Sequence, residues 1–186
     1  MIDLDSSVTN YIDWFKPQYK GTDAVVTVRH LMDHSSGIPV WTISVIPEGS
    51  EGEITLEETV RRIADVKLAH APGEVYEYAT INYDVLALII EEVTGKKYED
   101  YITGTVLNNA RMDESFFRIS DSDRQRIFPG RKAGFFGTRQ YNAPTYYGNT
   151  AAGCHRIDHL RFSIILSHFI YAIHFYYKRR RWDCKG

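Results

Sequence analysis

The sequence predicts a helix-rich α+β fold, and three features of its 186 residues support that prediction. The segment from Asn82 to Thr94 carries apolar residues at helical spacing and is followed by Gly95, the residue preferred just after a helix. Thr55-Leu-Glu-Glu58 is a capping box, a pattern that marks the first turn of a helix. Between residues 115 and 150, Gly and Pro punctuate short aromatic runs, which indicates irregular hairpins or long loops.

The first third of the chain is predicted to hold three short helices. Residues 8–15 follow an amphipathic helical pattern that Pro17 ends. A second helix, capped by Thr27, is predicted to extend through Met32. The helix that starts at the capping box is predicted to continue to about Val66, because apolar residues line one of its faces.

The remaining helices are predicted from apolar spacing alone. The helix of residues 82–94 is expected to bury a stripe of four residues: Leu86, Ile89, Ile90 and Val93. A shorter helix is expected around Tyr98–Leu107, and Arg156–Tyr177 is again expected to be helical.

Composition limits the functional classes. The chain is 44% hydrophobic, which excludes a wholly disordered protein, and its net charge of −2 gives no support for a nucleic-acid partner. Cys154 and Cys184 form neither a CxxC motif nor a disulfide framework. Residues 1–7 have neither the basic nor the apolar region of a signal peptide, so localisation is left open, with the cytoplasm as the default.

The last part of the sequence has a different character. Residues 162–177 are largely apolar but include two His and two Ser, and a spanning helix needs about 20 apolar residues. A basic run follows from Lys178, so membrane contact through residues 162–181 is a weaker interpretation than a buried helix or an aberrant C-terminus. The basic run itself is interpreted as a solvated end rather than a nucleic-acid patch. Nothing in the sequence predicts an oligomeric state.

Two segments carry ordered motifs. The first is Val26-Thr-Val-Arg-His-Leu-Met-Asp-His34-Ser-Ser-Gly-Ile-Pro39, and the second runs from Pro72-Gly-Glu-Val-Tyr-Glu-Tyr78-Ala-Thr80-Ile-Asn82-Tyr83 to Thr94-Gly-Lys-Lys-Tyr98. Together they resemble the serine β-lactamase-related family, which comprises class C β-lactamases, low-molecular-weight penicillin-binding proteins and esterase relatives. In that family a helix ends in H-T-S-G-[IL]-P, and P-G-x-x-[FY]-x-Y-S-N-x-[NG]-Y opens a long helix.

The resemblance extends over residues 3–153 and leaves residues 154–186 as an unaligned helical tail with a basic end. Asn108–Phe117 and Gly148–Gly153 are similar to two further family segments. The resemblance implies the helical subdomain of the β-lactamase/transpeptidase-like fold with an incomplete sheet. It also implies acyl transfer on a β-lactam, a D-Ala peptide or an ester, with a small-molecule or peptidoglycan-like substrate and no cofactor. Family relatives are usually exported or associated with the cell envelope.

The resemblance also implies site residues. The family uses a serine activated by a lysine in S-x-x-K, a tyrosine proton relay in Y-x-N, and a K-T-G or H-x-G strand that positions the substrate. Tyr78 matches the tyrosine, Thr80 occupies the Asn position of Y-x-N, and Asn82 follows on the same segment. Tyr78 is therefore the expected catalytic residue, with Thr80 and Asn82 as expected binding residues.

The nucleophile is not found by pattern, because no Ser of the sequence has a Lys three residues later. Ser7 lies in a segment similar to the one that follows the family's S-x-x-K helix, so the chain is expected to be a truncated, catalytically inactive form. A non-catalytic module that binds a peptide or a peptidoglycan-like ligand is the alternative. Lys132-Ala-Gly134 has a K-x-G outline but precedes the family's P-A-G-like segment, and it is expected to be a loop.

Two histidines are candidate metal ligands. His155 and His159 lie four residues apart on a predicted helix, but a zinc site needs a third ligand and no H-E-x-x-H motif is present. No metal site is therefore expected. His34 is interpreted as a hydrogen-bonded turn former rather than a catalytic base.

Overall fold

The computed structural model describes residues 1–45, 55–112, 117, 130–134 and 137–141, and for the last two ranges it describes the backbone. Helices predominate among them: α1 (Val28–Met32), α2 (Leu56–Arg61), α3 (Ile81–Thr94) and α4 (Tyr98–Ile102). The strands are β1 (Gln18–Tyr19), β2 (Thr22–Asp23), β3 (Gly130–Gly134) and β4 (Gly137–Tyr141). They form two antiparallel two-stranded sheets, β1-β2 and β3-β4. The predicted helix-rich α+β class is confirmed.

Helices α1 and α2 begin where the sequence predicts, because each has a complete capping box. The Thr27 side chain accepts from the His30 N–H, and His30 Nδ1 accepts from the Thr27 N–H. In α2 the Thr55 hydroxyl accepts from the Glu58 N–H, while the Glu58 carboxylate accepts from the Thr55 N–H at 2.7 Å. Both caps satisfy N–H groups that a helix start otherwise leaves without partners.

Helix α2 is shorter than predicted. It ends at Arg61, not near Val66, and the chain continues through turns. Beyond Arg61 the N–H groups of Ile63, Ala64 and Val66 bond to carbonyls three residues back instead of four. The carbonyls of Ala64 and Val66 accept bonds from the N–H groups of Lys16 and Gln18, which hold these turns against the N-terminal segment.

Residues 8–15 also differ from the predicted helix. Only Val8–Asn10 is helical, and it is a 3₁₀-helix. The predicted burial is nevertheless present, since Val8, Ile12 and Phe15 are buried. The Val8 N–H donates to the Val26 carbonyl at 2.9 Å, which binds this segment to the chain just before α1.

Helix α3 lies at the centre of the packed helices, in contact with α1, α2 and α4. It starts one residue before the predicted Asn82 and ends at Gly95, whose φ is 64°. The predicted buried stripe is wrong in phase: Ile89 is buried and Leu86 and Ile90 are half-buried, but Val93 is 42% exposed. The residues buried in α3 are Ile81, Asn82, Asp84, Val85, Ala87, Leu88 and Ile89.

The error in phase has a physical reason. Residues 85–90 are apolar around the whole helix, so spacing alone does not select a face. The first two turns of α3 lie inside the core, and its last turn extends towards solvent, where Val93 is exposed.

The predicted helix around Tyr98–Leu107 is observed as α4 followed directly by a π-helical turn, Thr103–Leu107. The predicted hairpin region contains β3-β4, with register from Gly130↔Tyr141 to Gly134↔Gly137. The loop expected for Lys132-Ala-Gly134 is wrong, because these residues lie in β3. They pair with β4, which begins three residues after Gly134, and the K-x-G outline alone does not reveal this pairing.

The hydrophobic core joins the N-terminal segment to the three helices α1, α2 and α3. Its largest fully buried side chains include Phe15, Leu31, Ile38, Ile63, Ile81 and Leu88. Within the described ranges, no helix is both long enough and apolar enough to cross a membrane. The predicted helical tail, residues 154–186, and its stretch at 162–181 lie outside the described residues.

Two glycines with positive φ offer a matched test of close packing. Gly37 has φ +79°, and a Cβ there would lie 2.2 Å from the His70 carbonyl oxygen. Gly21 has φ +83° in the β1-β2 turn, and a Cβ there would meet nothing within 4 Å. Both substitutions strain the backbone, but only the one at Gly37 forces two segments apart.

We therefore expect Gly21→Ala to lower the free energy of unfolding by about 1 kcal/mol, the usual strain of a left-handed residue. Gly37→Ala should lower it by roughly 2 kcal/mol more, since the His70 backbone must move. Urea denaturation followed by circular dichroism measures both values. Equal losses for the two variants would contradict the close approach at Gly37.

Candidate functional site

The predicted catalytic tyrosine lies in the loop before α3. Gly73–Ala79 runs from the Pro72-Gly73 turn to the helix start, and the Tyr78 side chain is 54% exposed. The loop is bound to residues 33–39, which follow α1 and are called the α1 exit below. Two backbone hydrogen bonds of 2.8 Å join them: Gly73 N–H to Ser35 O, and Glu77 N–H to His34 O. Tyr78 therefore lies in a loop held against the residues that follow α1, with its side chain exposed.

His34 is the centre of an aromatic cluster around Tyr78. Its ring centroid lies 4.5 Å from that of Tyr78, 5.3 Å from that of Tyr83 and 5.9 Å from that of Tyr76. His34 is buried, and its backbone is left-handed with φ 58°. The residues that follow α1 and the Tyr78 loop therefore pack directly on each other.

A buried hydrogen-bond network lies beneath this cluster. The Ala79 N–H donates to His34 Nδ1 at 3.4 Å, and Asn82 Nδ2 lies 3.3 Å from the same nitrogen. The Ser36 hydroxyl donates to Asn82 Oδ1 at 3.0 Å and accepts from the Ile38 N–H at 3.2 Å. Side chains from the exit of α1 and the start of α3 thus satisfy one another.

The three predicted site residues have different surroundings. Tyr78 is at the surface, and Thr80 is half-buried at the start of α3, where its side chain makes no capping bond. Asn82 is fully buried, and its amide binds Ser36 and His34. Substrate contacts by Thr80 and Asn82 stay predictions, and the partners observed for Asn82 are protein groups.

Burial shifts two pKa values in this cluster. It lowers the pKa of His34 from its ordinary 6.5, and the Asp33 carboxylate partly opposes that shift. Burial also raises the pKa of Tyr83, whose hydroxyl lies 3.4 Å from the Met32 carbonyl as a donor. Neutral forms of both rings are therefore favoured around Tyr78.

Sequence reasoning missed the surface beside Tyr78. Residues Val40–Val45 form a 3₁₀-helix in which Val40, Trp41 and Ile43 are each more than half exposed. The Val40 N–H donates to Glu77 Oε1 at 3.4 Å, so this helix adjoins the Tyr78 loop. Glu77 Oε2 also pairs with His70 Nε2 at 3.5 Å. Only the run of apolar residues after Pro39 could have drawn attention to this surface.

Other candidate groups do not join the cluster. The Ser7 hydroxyl is engaged locally, 2.7 Å from the Thr9 hydroxyl, and accepts from the Thr9 N–H. His155 and His159 lie outside the described residues. Where the structure describes side chains, no three His, Cys, Asp or Glu residues come together as metal ligands.

Comparison with known proteins identifies relatives. The sequence model of the Beta-lactamase family matches residues 1–153. Protein flp of Staphylococcus aureus (strain COL) is 34% identical over 117 residues, which are 63% of this chain and 23% of that protein. Esterase EstB of Burkholderia gladioli is 30% identical over 132 residues, which are 65% of this chain and 33% of that protein.

A solved structure shares the fold. The octameric penicillin-binding protein homologue from Pyrococcus abyssi superposes with a TM-score of 0.60 and 30% identity, over 81% of this chain and 35% of that one. The chain spans about a quarter to a third of the length of the two curated relatives above. The helix-rich architecture is accordingly that of the β-lactamase/transpeptidase-like fold. With the family match covering most of the sequence, the chain belongs to the serine β-lactamase-related family of hydrolases.

Proposed function

We propose that this chain supplies the tyrosine side of an acyl-transfer site that acts on a β-lactam, a D-Ala peptide or an ester. The observation that carries this proposal is the position of Tyr78. Its half-exposed side chain stands on a loop that is bound on both sides to the buried His34. A surface hydroxyl with such a fixed support suits proton transfer, which requires a defined position relative to the substrate.

Acyl transfer requires further groups. A serine attacks the carbonyl only when a neighbouring base takes its proton, and the tyrosine hydroxyl can relay that proton to the leaving group. Because no Ser of this sequence is followed three residues later by Lys, we propose that the 186-residue chain by itself is catalytically inactive. Tyr78 and Thr80 would face the substrate, and Asn82 would support them from below.

The second candidate is a non-catalytic module for a peptide or a peptidoglycan-like ligand. The exposed Trp41 and Tyr76 favour it. Each is the sequence neighbour of a residue in the Val40–Glu77 hydrogen bond, so the two aromatic side chains lie on adjoining segments. Aromatic side chains of this kind provide large contact areas for ligands. This candidate requires ligand retention without covalent capture.

The 186-residue chain should hydrolyse neither nitrocefin nor p-nitrophenyl acetate above the buffer rate, because its sequence has no Ser-x-x-Lys nucleophile. Incubation with a fluorescent penicillin should likewise leave the mass of the intact chain unchanged, as measured by mass spectrometry. A serine β-lactamase serves as the positive control, and circular dichroism verifies folding. Turnover that disappears in Ser7→Ala, or an acylated peptide with Ser35 or Ser36, would contradict the proposal.

The same protein can bind without reacting, and equilibrium dialysis with an acyl-D-Ala-D-Ala peptide separates the two candidates. Retention of the peptide that is lost in Trp41→Ala supports the binding module. Absence of retention would contradict the binding module.

A role for Tyr78 in chemistry predicts that its hydroxyl contributes little to folding. Tyr78→Phe should change the free energy of unfolding by less than about 0.5 kcal/mol, as surface substitutions do. Asn82→Ala should cost roughly 1–3 kcal/mol, because it leaves the buried Ser36 hydroxyl without its acceptor. Urea denaturation compares the two variants, and an equal loss in both would assign Tyr78 to the scaffold.

A further inference from the structure

We propose that His34, neutral and with its proton on Nε2, is the positioning residue of Tyr78, and that protonation of its ring releases the Tyr78 loop. This inference rests on the proposed function of Tyr78 for its relevance to acyl transfer. Its structural content depends only on the contacts between the two residues.

The residues on either side of Tyr78 are both bound to His34. The Glu77 N–H donates to the His34 carbonyl at 2.8 Å, and the Ala79 N–H donates to the His34 ring at 3.4 Å. The two aromatic rings are 4.5 Å apart. One residue, His34, therefore contacts the backbone before Tyr78, the backbone after it and the Tyr78 ring.

The hydrogen bonds assign the tautomer of His34. A backbone N–H can only donate, so Nδ1 must accept from Ala79 and cannot carry a proton itself. The amide of Asn82 has the matching orientation, because its Oδ1 accepts from Ser36 and its Nδ2 faces Nδ1. The ring proton of neutral His34 is thereby placed on Nε2.

Protonation reverses this arrangement. A proton on Nδ1 would face two donors, the Ala79 N–H and the Asn82 amide, at the distances where bonds now exist. The bond to the residue directly after Tyr78 would be lost, and the charged ring would be buried among apolar and aromatic groups. Release of the loop would relieve both effects. The bond from the Glu77 N–H to the His34 carbonyl does not involve the ring, so ring protonation does not break it directly.

The titratable groups around the ring agree with a neutral resting state. The Tyr78 loop contributes Tyr76 and Tyr78, α3 contributes Tyr83, and the α1 exit contributes the carboxylate of Asp33. Burial lowers the pKa of His34 more than Asp33 raises it. As pH falls through 6.5 the unfolded chain takes up the proton first, so stability is lost between 6.5 and the lower pKa of the folded ring.

The chain offers conservative and control variants. Asn in place of His34 keeps an acceptor near the Nδ1 position, does not titrate and tolerates the left-handed backbone. Leu in that place has no acceptor. His30 is the matched control, because it is also partly buried and accepts from a backbone N–H, that of Thr27, in the α1 capping box. Burial lowers the pKa of His30 as it does that of His34, so both lower stability in acid, but the His30 ring lies beside Gly73 at the start of the loop, where a Cβ would be 3.2 Å from its Nε2.

The experiment is fluorine NMR of the full chain labelled with fluorotyrosine, with the Tyr78 signal assigned from Tyr78→Phe and His34 followed by nitrogen NMR. Between about pH 8 and pH 5 the Tyr78 signal should shift with the same midpoint as His34, and neutral His34 should show an unprotonated Nδ1. His34→Asn should abolish the pH-dependent shift, whereas His30→Asn should leave it intact. His34→Leu should also abolish the pH dependence, because no titrating ring remains beside Tyr78.

A Tyr78 signal that does not follow His34, a protonated Nδ1, or a common shift of all tyrosines through unfolding would overturn the inference. If His34→Leu does not fold, the comparison of His34→Asn with the unchanged chain still decides. None of these measurements involves a substrate. If the Tyr78 signal follows His34 but the acyl-transfer proposal fails, this inference is therefore supported and only the proposed function is contradicted.

Discussion

The buried junction between the exit of α1 and the start of α3 is the constraint on which the candidate site depends. His34, Ser36 and Asn82 meet there, at least nine-tenths buried, and exchange hydrogen bonds across 46 and 48 residues of sequence. Such groups are unfavourable in a core unless each finds a partner. Once paired, they fix the position of two helices and of the loop between them more sharply than apolar packing would.

Close backbone approach reinforces this junction. Gly37 leaves room for the His70 carbonyl, and its own carbonyl accepts from the Ala69 N–H at 2.8 Å. The segment after α2 is therefore held against the α1 exit, and the Pro72-Gly73 turn starts from a fixed point. The Tyr78 loop is thus supported at its beginning, at Glu77 and at Ala79.

The candidate site combines an exposed side chain with a buried support. Tyr78 exposes its side chain, whereas His34, which binds the backbone on both sides of it, is buried. If Tyr78 transfers a proton as proposed, this arrangement would give it a defined position without burying it. The apolar surface of residues 40–45 adjoins the same loop through Val40 and Glu77, so a ligand at Tyr78 would also meet this surface.

Local chemistry in the sequence determined the features that need no distant partner. The capping boxes at Thr27 and Thr55, the end of α3 at Gly95 and the loop position of Tyr78 could all be predicted, because each depends on residues within a few positions. The ordered motifs around His34 and Tyr78 also determined the family, which the match over residues 1–153 confirms.

Tertiary structure decided the rest. The turns after α2 are held by bonds from Lys16 and Gln18, and the buried face of α3 depends on which neighbours surround an all-apolar run. The burial of Asn82 against His34 joins residues 48 positions apart, and no local pattern encodes such a contact.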